Sequence, residues 1–97
     1  MSTYHVELPG KFSLAKQSKA IAGEEALGAR FVGARIWVNS KNAITNLAEF
    51  EEIDDEPPEP LKTASLSTTL PDGVTPEWAG PLIVDGSAVQ QVYLTRS

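Results

Sequence analysis

The chain has 97 residues and no cysteine, and its net charge is −5. This length allows one domain and excludes a two-domain enzyme, while the absence of cysteine excludes disulfides, thiol nucleophiles and thiolate metal sites. No apolar run approaches the roughly 20 residues of a membrane-spanning helix, and the N-terminus has no basic start followed by an apolar core, so we expect a cytoplasmic protein that does not engage a membrane.

A strand and a helix are predicted first along the chain. Residues 3–8 alternate polar and apolar side chains ahead of Pro9 and Gly10, which is typical of a short strand ending in a turn. Residues 13–27 are rich in helix-forming residues, and Gly28 stands where a helix C-terminus is expected. Because Gly23 costs about 1 kcal/mol relative to alanine inside a helix, two short helices joined near Gly23 are the alternative.

Residues 30–38 predict the clearest strand, because β-branched and aromatic side chains dominate them. One face would belong to the core and consists of Val32, Ala34, Ile36 and Val38. The other face consists of Phe31, Arg35 and Trp37 around Gly33. Either a helix packs over this second face, or the face is a partly exposed binding surface, because arginine and aromatic side chains anchor interfaces and stack on bases.

The acidic charge is concentrated in residues 42–60, which contain no base. Its seven acids are Glu49, Glu51, Glu52, Asp54, Asp55, Glu56 and Glu59. Apolar residues at near-helical spacing over 43–50 predict a helix that ends by Asp55, ahead of three prolines that would form an extended linker; a strand over residues 43–53 is the alternative. Carboxylates at a helix C-terminus oppose its macrodipole by about 0.3–1 kcal/mol each, so helix stability does not explain them. They form either a solvated loop or a docking surface for a basic partner.

The last third of the chain predicts further strands. Residues 61–70 place Ala64, Leu66 and Leu70 at alternating positions, and residues 82–95 predict a hairpin with a two-residue turn at Asp85 and Gly86. The predicted fold class is therefore α+β: one small domain over residues 1–97, with four or five short, mostly antiparallel strands and one or two helices. An acidic, proline-rich exposed segment would occupy residues 49–60.

Few residues suggest catalysis. His5 is the only histidine and stands on a terminal strand, and neither a serine nucleophile motif nor a phosphate-binding loop is present. We expect a protein that is not an enzyme and that holds no metal or cofactor. Direct binding of nucleic acid is opposed by the acidic segment. Whether the bases of the first third form a second binding surface stays open; they are Lys11, Lys16, Lys19, Arg30 and Arg35.

In size, acidity and lack of catalytic residues, the chain resembles small phage-encoded inhibitors of bacterial defence, including anti-CRISPR proteins that imitate DNA. The resemblance rests on the acidic run over residues 49–56. It implies a non-catalytic inhibitor, a monomer or homodimer in the host cytoplasm, that docks acidic side chains onto a basic nucleic-acid-binding groove of a protein partner. The expected partner-binding residues are Glu49, Glu51, Glu52, Asp54, Asp55, Glu56, Glu59, Phe31, Arg35 and Trp37.

A second hypothesis is a structural or adaptor protein of a virion or assembly. Its motivation is the serine- and threonine-rich strand at residues 61–70 and the terminal hairpin, either of which could be a sheet edge that pairs with a neighbouring copy. An adaptor should self-associate and tolerate neutralised acids. A nucleic-acid mimic should instead lose its partner when those acids are neutralised or the salt concentration is raised.

Overall fold

Six strands and one helix form the part of the chain that the computed structural model describes, which is residues 2–53, 62–86 and 88–96. In chain order the elements are β1 (Thr3–Leu8), α1 (Leu14–Ala26), β2 (Ala29–Val38), β3 (Ile44–Glu52), β4 (Ala64–Ser67), β5 (Trp78–Val84) and β6 (Ala88–Arg96). The strands make two antiparallel sheets: an N-terminal sheet of order β1-β3-β2 and a C-terminal sheet of order β4-β6-β5. The α+β class is confirmed, whereas the count of four or five strands is too low.

The helix predicted over residues 43–53 is wrong, because these residues form β3, the central strand of the N-terminal sheet. β3 pairs with β1 on one side and with β2 on the other. Asn46, Ala48 and Phe50 are fully buried. They stand at every second position and therefore share one face of the strand, so the buried face follows strand alternation and not helical spacing. Pairing on both edges overrides local propensity, and the argument from the helix macrodipole therefore falls away.

The predicted division of β2 into a core face and an outer face is only partly correct. The register with β3 shifts between Phe31 and Gly33, which marks a β-bulge. Because the bulge inserts one extra residue, side chains before it change face relative to those after it. Phe31 is therefore buried opposite Phe50, whereas Val32 is 46% exposed.

The N-terminal helix is continuous through Gly23 and not divided in two. It begins after Ser13, whose side-chain oxygen accepts a hydrogen bond from the backbone N–H of Lys16. Its C-terminus is followed by Gly28 in a left-handed conformation, with φ of 101°.

Gly23→Ala is expected to raise the free energy of unfolding by about 1 kcal/mol, because alanine has the higher helix propensity and an added Cβ meets no atom within 4 Å. Gly80→Ala is the matched contrast, since a Cβ there would lie 2.7 Å from Cζ2 of Trp78; we expect it to lose about 1–3 kcal/mol by overpacking. Urea denaturation of both variants measures the two changes. A Gly23→Ala variant no more stable than the parent would contradict this account of the helix.

The core lies where α1 and the C-terminal sheet pack on the N-terminal sheet. Four aromatic rings form its centre: Tyr4 stacks on Phe50, and Phe31 contacts both Phe50 and Trp78 edge to face, with centroid distances of 5.6 to 5.8 Å. Such pairs are favourable beyond the area that they bury. Trp78, on β5, thereby joins the two sheets.

A buried polar group also connects the sheets. The side-chain amide of Asn46 on β3 accepts a hydrogen bond from the backbone N–H of Ile83 on β5 at 2.8 Å and donates to the Ile83 carbonyl at 2.9 Å. Gln17 of α1 accepts from the same amide and donates to the same carbonyl. Asn46 and Gln17 are fully buried, so these bonds satisfy polar groups that water cannot reach.

Candidate functional site

The face of the N-terminal sheet that is turned away from the core, called here the outer face, contains an open depression of about 390 Å³. Residues 32–35 of β2, Leu47 and Glu49 of β3, and His5 of β1 line it. The register places Arg35 opposite Leu47, and Glu49 opposite both His5 and Gly33, which explains why these side chains meet.

The charges of the outer face are partly paired with one another. His5 Nε2 lies 3.1 Å from Glu49 Oε1, and both side chains are nearly half exposed. Glu7 Oε1 accepts a hydrogen bond from Asn39 Nδ2 at 3.0 Å. Exposed pairs of this kind contribute little to stability, at most about 1 kcal/mol, so these groups can change partners when another molecule binds.

Of the three residues predicted to share a binding surface on β2, Arg35 and Trp37 lie on the same face, opposite Leu47 and Thr45, and Phe31 lies on the other. Arg35 is exposed on the outer face, and Trp37 is half-buried opposite Thr45. Phe31 is only 5% exposed and belongs to the aromatic core. The placement of Phe31 beside Arg35 and Trp37 was therefore wrong, because the bulge at the next residue reverses its face.

Three acids of residues 42–60 lie in the described part of the chain, at the C-terminal end of β3. Because side chains alternate along a strand, Glu49 and Glu51 point to one face of the sheet and Glu52 points to the other. Glu51 is half-buried and pairs in register with Thr3 and Arg30, whereas Glu52 is exposed and accepts a hydrogen bond from Ser2 Oγ at 2.8 Å. The other predicted acids lie outside the described residues; they are Asp54, Asp55, Glu56 and Glu59.

A second open depression, of about 430 Å³, adjoins this end of β3, and we call it the acidic groove. Its lining includes Tyr4, Glu24, Leu27, Glu52 and Ile53. Tyr4 donates its hydroxyl to Glu24 Oε2 at 2.9 Å, and burial together with this contact raises the pKa of Tyr4. Leu27 is 81% exposed, so apolar surface and two carboxylates lie side by side.

Sequence reasoning missed Glu24 and Leu27 of the acidic groove. Both lie near the end of α1, and the sequence offered no local signal that this end packs beside the end of β3.

The bases of the first third do not form one surface. Lys16 lies on α1 with Nζ 5.2 Å from the ring centre of Phe12, and Lys19 lies further along the same helix. Lys11 is exposed in the turn before α1, while Arg35 lies on the outer face of the sheet. Arg30 is bound to Glu77, with 3.2 Å between Nη2 and Oε1.

A network of charged side chains lies at the edge of the fold beside β2, and no sequence pattern predicted it. Arg96 on β6 donates to both carboxylate oxygens of Glu25 at 2.7 Å each, and it also binds Glu77. Glu25 in turn accepts the backbone N–H of Phe31 at 3.0 Å. The hydrogen bond to Glu25 raises the pKa of Arg96 despite its burial. Burial alone would raise the pKa of Glu77, but its bonds to Arg96 and Arg30 outweigh burial and lower it.

No protein-family model, curated protein or solved structure matches this chain. Within the described ranges, no three His, Asp or Glu residues are arranged to hold a metal ion. The helix that the structure describes is too short and too polar to cross a membrane.

Proposed function

We propose that this chain is a non-catalytic binding protein that presents the acidic end of β3 to a basic, nucleic-acid-binding surface of a protein partner. In this proposal it acts as an inhibitor in the cytoplasm, in the manner of the DNA-mimicking anti-CRISPR proteins that its acidity and size resemble. Glu49, Glu51, Glu52 and the acids that follow them would occupy sites that phosphates otherwise fill.

The supporting observation is the rigid placement of three carboxylates on a central strand. Residues 49–52 span about 10 Å of strand and carry three acids. Two of these acids, Glu49 and Glu51, share one face about 7 Å apart along the strand, a spacing that matches every second phosphate of one DNA strand, which carries one charge per about 3.4 Å of axis. Because β3 is paired on both sides, little conformational entropy remains to be lost when these carboxylates bind.

The neighbouring acidic groove fits the same role. A lysine or arginine of the partner could place its charged group near Glu24 and Glu52 while its aliphatic part covers Leu27 and Ile53. This arrangement extends the acidic surface from the strand to the end of α1. Of the four acids outside the described residues, Asp54, Asp55 and Glu56 follow Ile53 directly in sequence, and Glu59 comes three residues after Glu56.

Neutralising the acids tests this proposal. We expect wild-type protein to capture a nucleic-acid-binding protein from a lysate of the source cell, or of its host, at low salt and to release it at high salt. The variant should fold normally and capture none of it. It carries the substitutions Glu51→Gln, Glu52→Gln, Asp54→Asn, Asp55→Asn and Glu56→Gln.

A matched control carries the same kind of change at Asp72→Asn and Asp85→Asn. Both positions lie in turns of the C-terminal half, away from β3, and asparagine tolerates the positive φ of Asp85. The control should capture the partner as the wild type does. Equal capture by the acid-neutralised variant would contradict the proposal.

The adaptor hypothesis finds less support at the two edges that motivated it. The backbone N–H of Leu66 on β4 already donates to Ser18 Oγ at 2.9 Å, and β6 is the central strand of its sheet. Self-association would therefore use a different strand.

A further inference from the structure

The outer strands of the two sheets differ in how their edges are protected. On β5, the free backbone groups of Ile83 bind Asn46, and Pro81 has no N–H to offer. β4 is four residues long and binds α1 through Ser18. β2 contains a bulge, and its Phe31 N–H binds the Glu25 carboxylate. Short length, proline, bulges and covering groups are the devices that keep sheet edges from pairing with other chains.

Within residues 2–53, 62–86 and 88–96, β1 has none of these devices. It pairs with β3 without interruption from Thr3 to Leu8 and contains neither proline nor lysine. The backbone N–H of Glu52 donates to the carbonyl of Ser2, so the even-numbered residues of β1 direct their backbone groups toward β3. The backbone groups of Thr3, His5 and Glu7 consequently point away from the sheet.

We propose that this edge of β1 pairs with the same edge of a second copy of the chain. The resulting homodimer has twofold symmetry, and the two N-terminal sheets join into one antiparallel sheet of six strands. Two outward-facing residues in each copy, His5 and Glu7, supply the new backbone hydrogen bonds. A symmetric interface of this kind is the commonest form of homodimer.

Side-chain complementarity between His5 and Glu7 selects the register. With the twofold axis at Val6, His5 of each copy stands opposite Glu7 of the other, and Tyr4 stands opposite Leu8 on the inner face. Side chains that hydrogen-bond directly across an antiparallel ladder are stabilising, and an imidazole N–H can donate to the facing carboxylate. With the axis at His5, two identical histidines would instead face each other. Pro9, which lacks an N–H, ends the ladder after Leu8.

The dimer would display the proposed acidic surface twice. Glu51 pairs with Thr3, which lies three residues from Val6, so the two acidic ends would be about 20 Å apart along the strands. The dimer itself does not depend on the proposed function, because it follows from the backbone of β1. Failure of either proposal therefore leaves the other standing.

Cysteine cross-linking tests both the dimer and its register, and the chain contains no other cysteine. Across the axis the two Val6 residues form a non-hydrogen-bonded pair with Cα atoms about 4.5 Å apart, within the range that a disulfide spans. Under mild oxidation Val6→Cys should convert to covalent dimer at high concentration. Thr3→Cys is the matched control, since the axis places its two copies about 20 Å apart, and it should stay uncoupled.

Sedimentation of the proteins without cysteine gives an independent measurement. The wild type should reach twice the mass of one chain as its concentration rises from micromolar toward millimolar. His5→Pro should stay at the mass of one chain with an unchanged circular dichroism spectrum, because proline removes an outward N–H and none of the bonds to β3.

Three results would overturn the proposal. A wild type that stays monomeric at all concentrations, together with equal cross-linking of the Val6 and Thr3 variants, excludes the dimer. Faster cross-linking of His5→Cys than of Val6→Cys excludes the register. Protection of the His5 and Glu7 amides from exchange only in a complex with a captured partner would assign this edge to a strand of that partner.

Discussion

Arg96→Ala is expected to lower the free energy of unfolding by about 3–5 kcal/mol, which is the usual effect of removing one partner of a buried ion pair. The side chains of Arg96 and Glu25 are 10% and 7% exposed. Loss of the guanidinium leaves the Glu25 carboxylate buried without its counter-charge, although it still accepts the Phe31 N–H. It also removes the link that holds the C-terminal strand to α1. Urea denaturation followed by tryptophan fluorescence measures the change.

Arg30→Ala is the matched control for this prediction. Arg30 belongs to the same network through Glu77, but its side chain is 52% exposed, so its removal should change stability by about 1 kcal/mol or less. A loss for Arg96→Ala no larger than that for Arg30→Ala would show that the buried pair with Glu25 is not what stabilises this edge.

The same network predicts how stability depends on pH. The folded protein holds the pKa of Glu77 below its ordinary value, so the unfolded state binds the proton more readily. The ion pairs of Glu77 therefore contribute stability above the unfolded pKa, and this contribution disappears as the pH falls through the lower, folded pKa. In denaturation curves recorded over a series of pH values, Arg96→Ala should reduce the fall in the free energy of unfolding at acid pH. An unchanged fall would show that other carboxylates cause it.

Asn46→Leu is expected to lower the free energy of unfolding by about 2–5 kcal/mol. The substitution keeps the approximate size of the side chain but leaves the Ile83 N–H and the Gln17 Oε1 buried without partners. Each such group costs about 1–3 kcal/mol. Because Asn46 joins β3 to β5, hydrogen exchange at the Ile83 amide should accelerate more than exchange within β1.

Gln90→Leu provides the control for Asn46→Leu. Gln90 is exposed on β6, so the same gain of apolar surface should change stability by about 0.5 kcal/mol or less. If both substitutions had equally small effects, the polar link between the sheets would not be a main contributor to the fold.

Elements encoded by short-range patterns were predictable. Alternation over residues 3–8 gave β1, and the helix-forming residues before Gly28 gave α1. The hairpin between β5 and β6 is confirmed, with positive φ at both Asp85 and Gly86. Its connection is longer than the predicted two residues, because the pairing closes at Val84 and Ala88.

Elements that depend on distant partners were not predictable. The apolar residues of β3 fit helical spacing as well as alternation, and only pairing with both β1 and β2 decides between the two. The bulge in β2 likewise has no local signature apart from Gly33, yet it moves Phe31 into the core. Without the bulge, Phe31 would share the face of Arg35, as the sequence pattern indicates.

The candidate site likewise has one part that was predictable from local sequence and another that depends on distant contacts. The concentration of acids after residue 48 is visible in the sequence, and the structure places three of them at one end of β3. The acidic groove joins Glu24 to Glu52, and the buried network joins Glu25 to Arg96, 71 residues away. Contacts across such distances follow from the packing of α1 and β6 against the N-terminal sheet, which no local pattern specifies.

Competition with nucleic acid for the captured partner tests the proposed function most directly. Labelled DNA or RNA bound to that partner should be displaced by the wild-type protein and by the variant changed at Asp72 and Asp85. The acid-neutralised variant should not displace it, and raising the salt concentration should weaken displacement. Simultaneous binding of nucleic acid and wild-type protein to the partner would contradict the proposal that the acidic end of β3 occupies a nucleic-acid site.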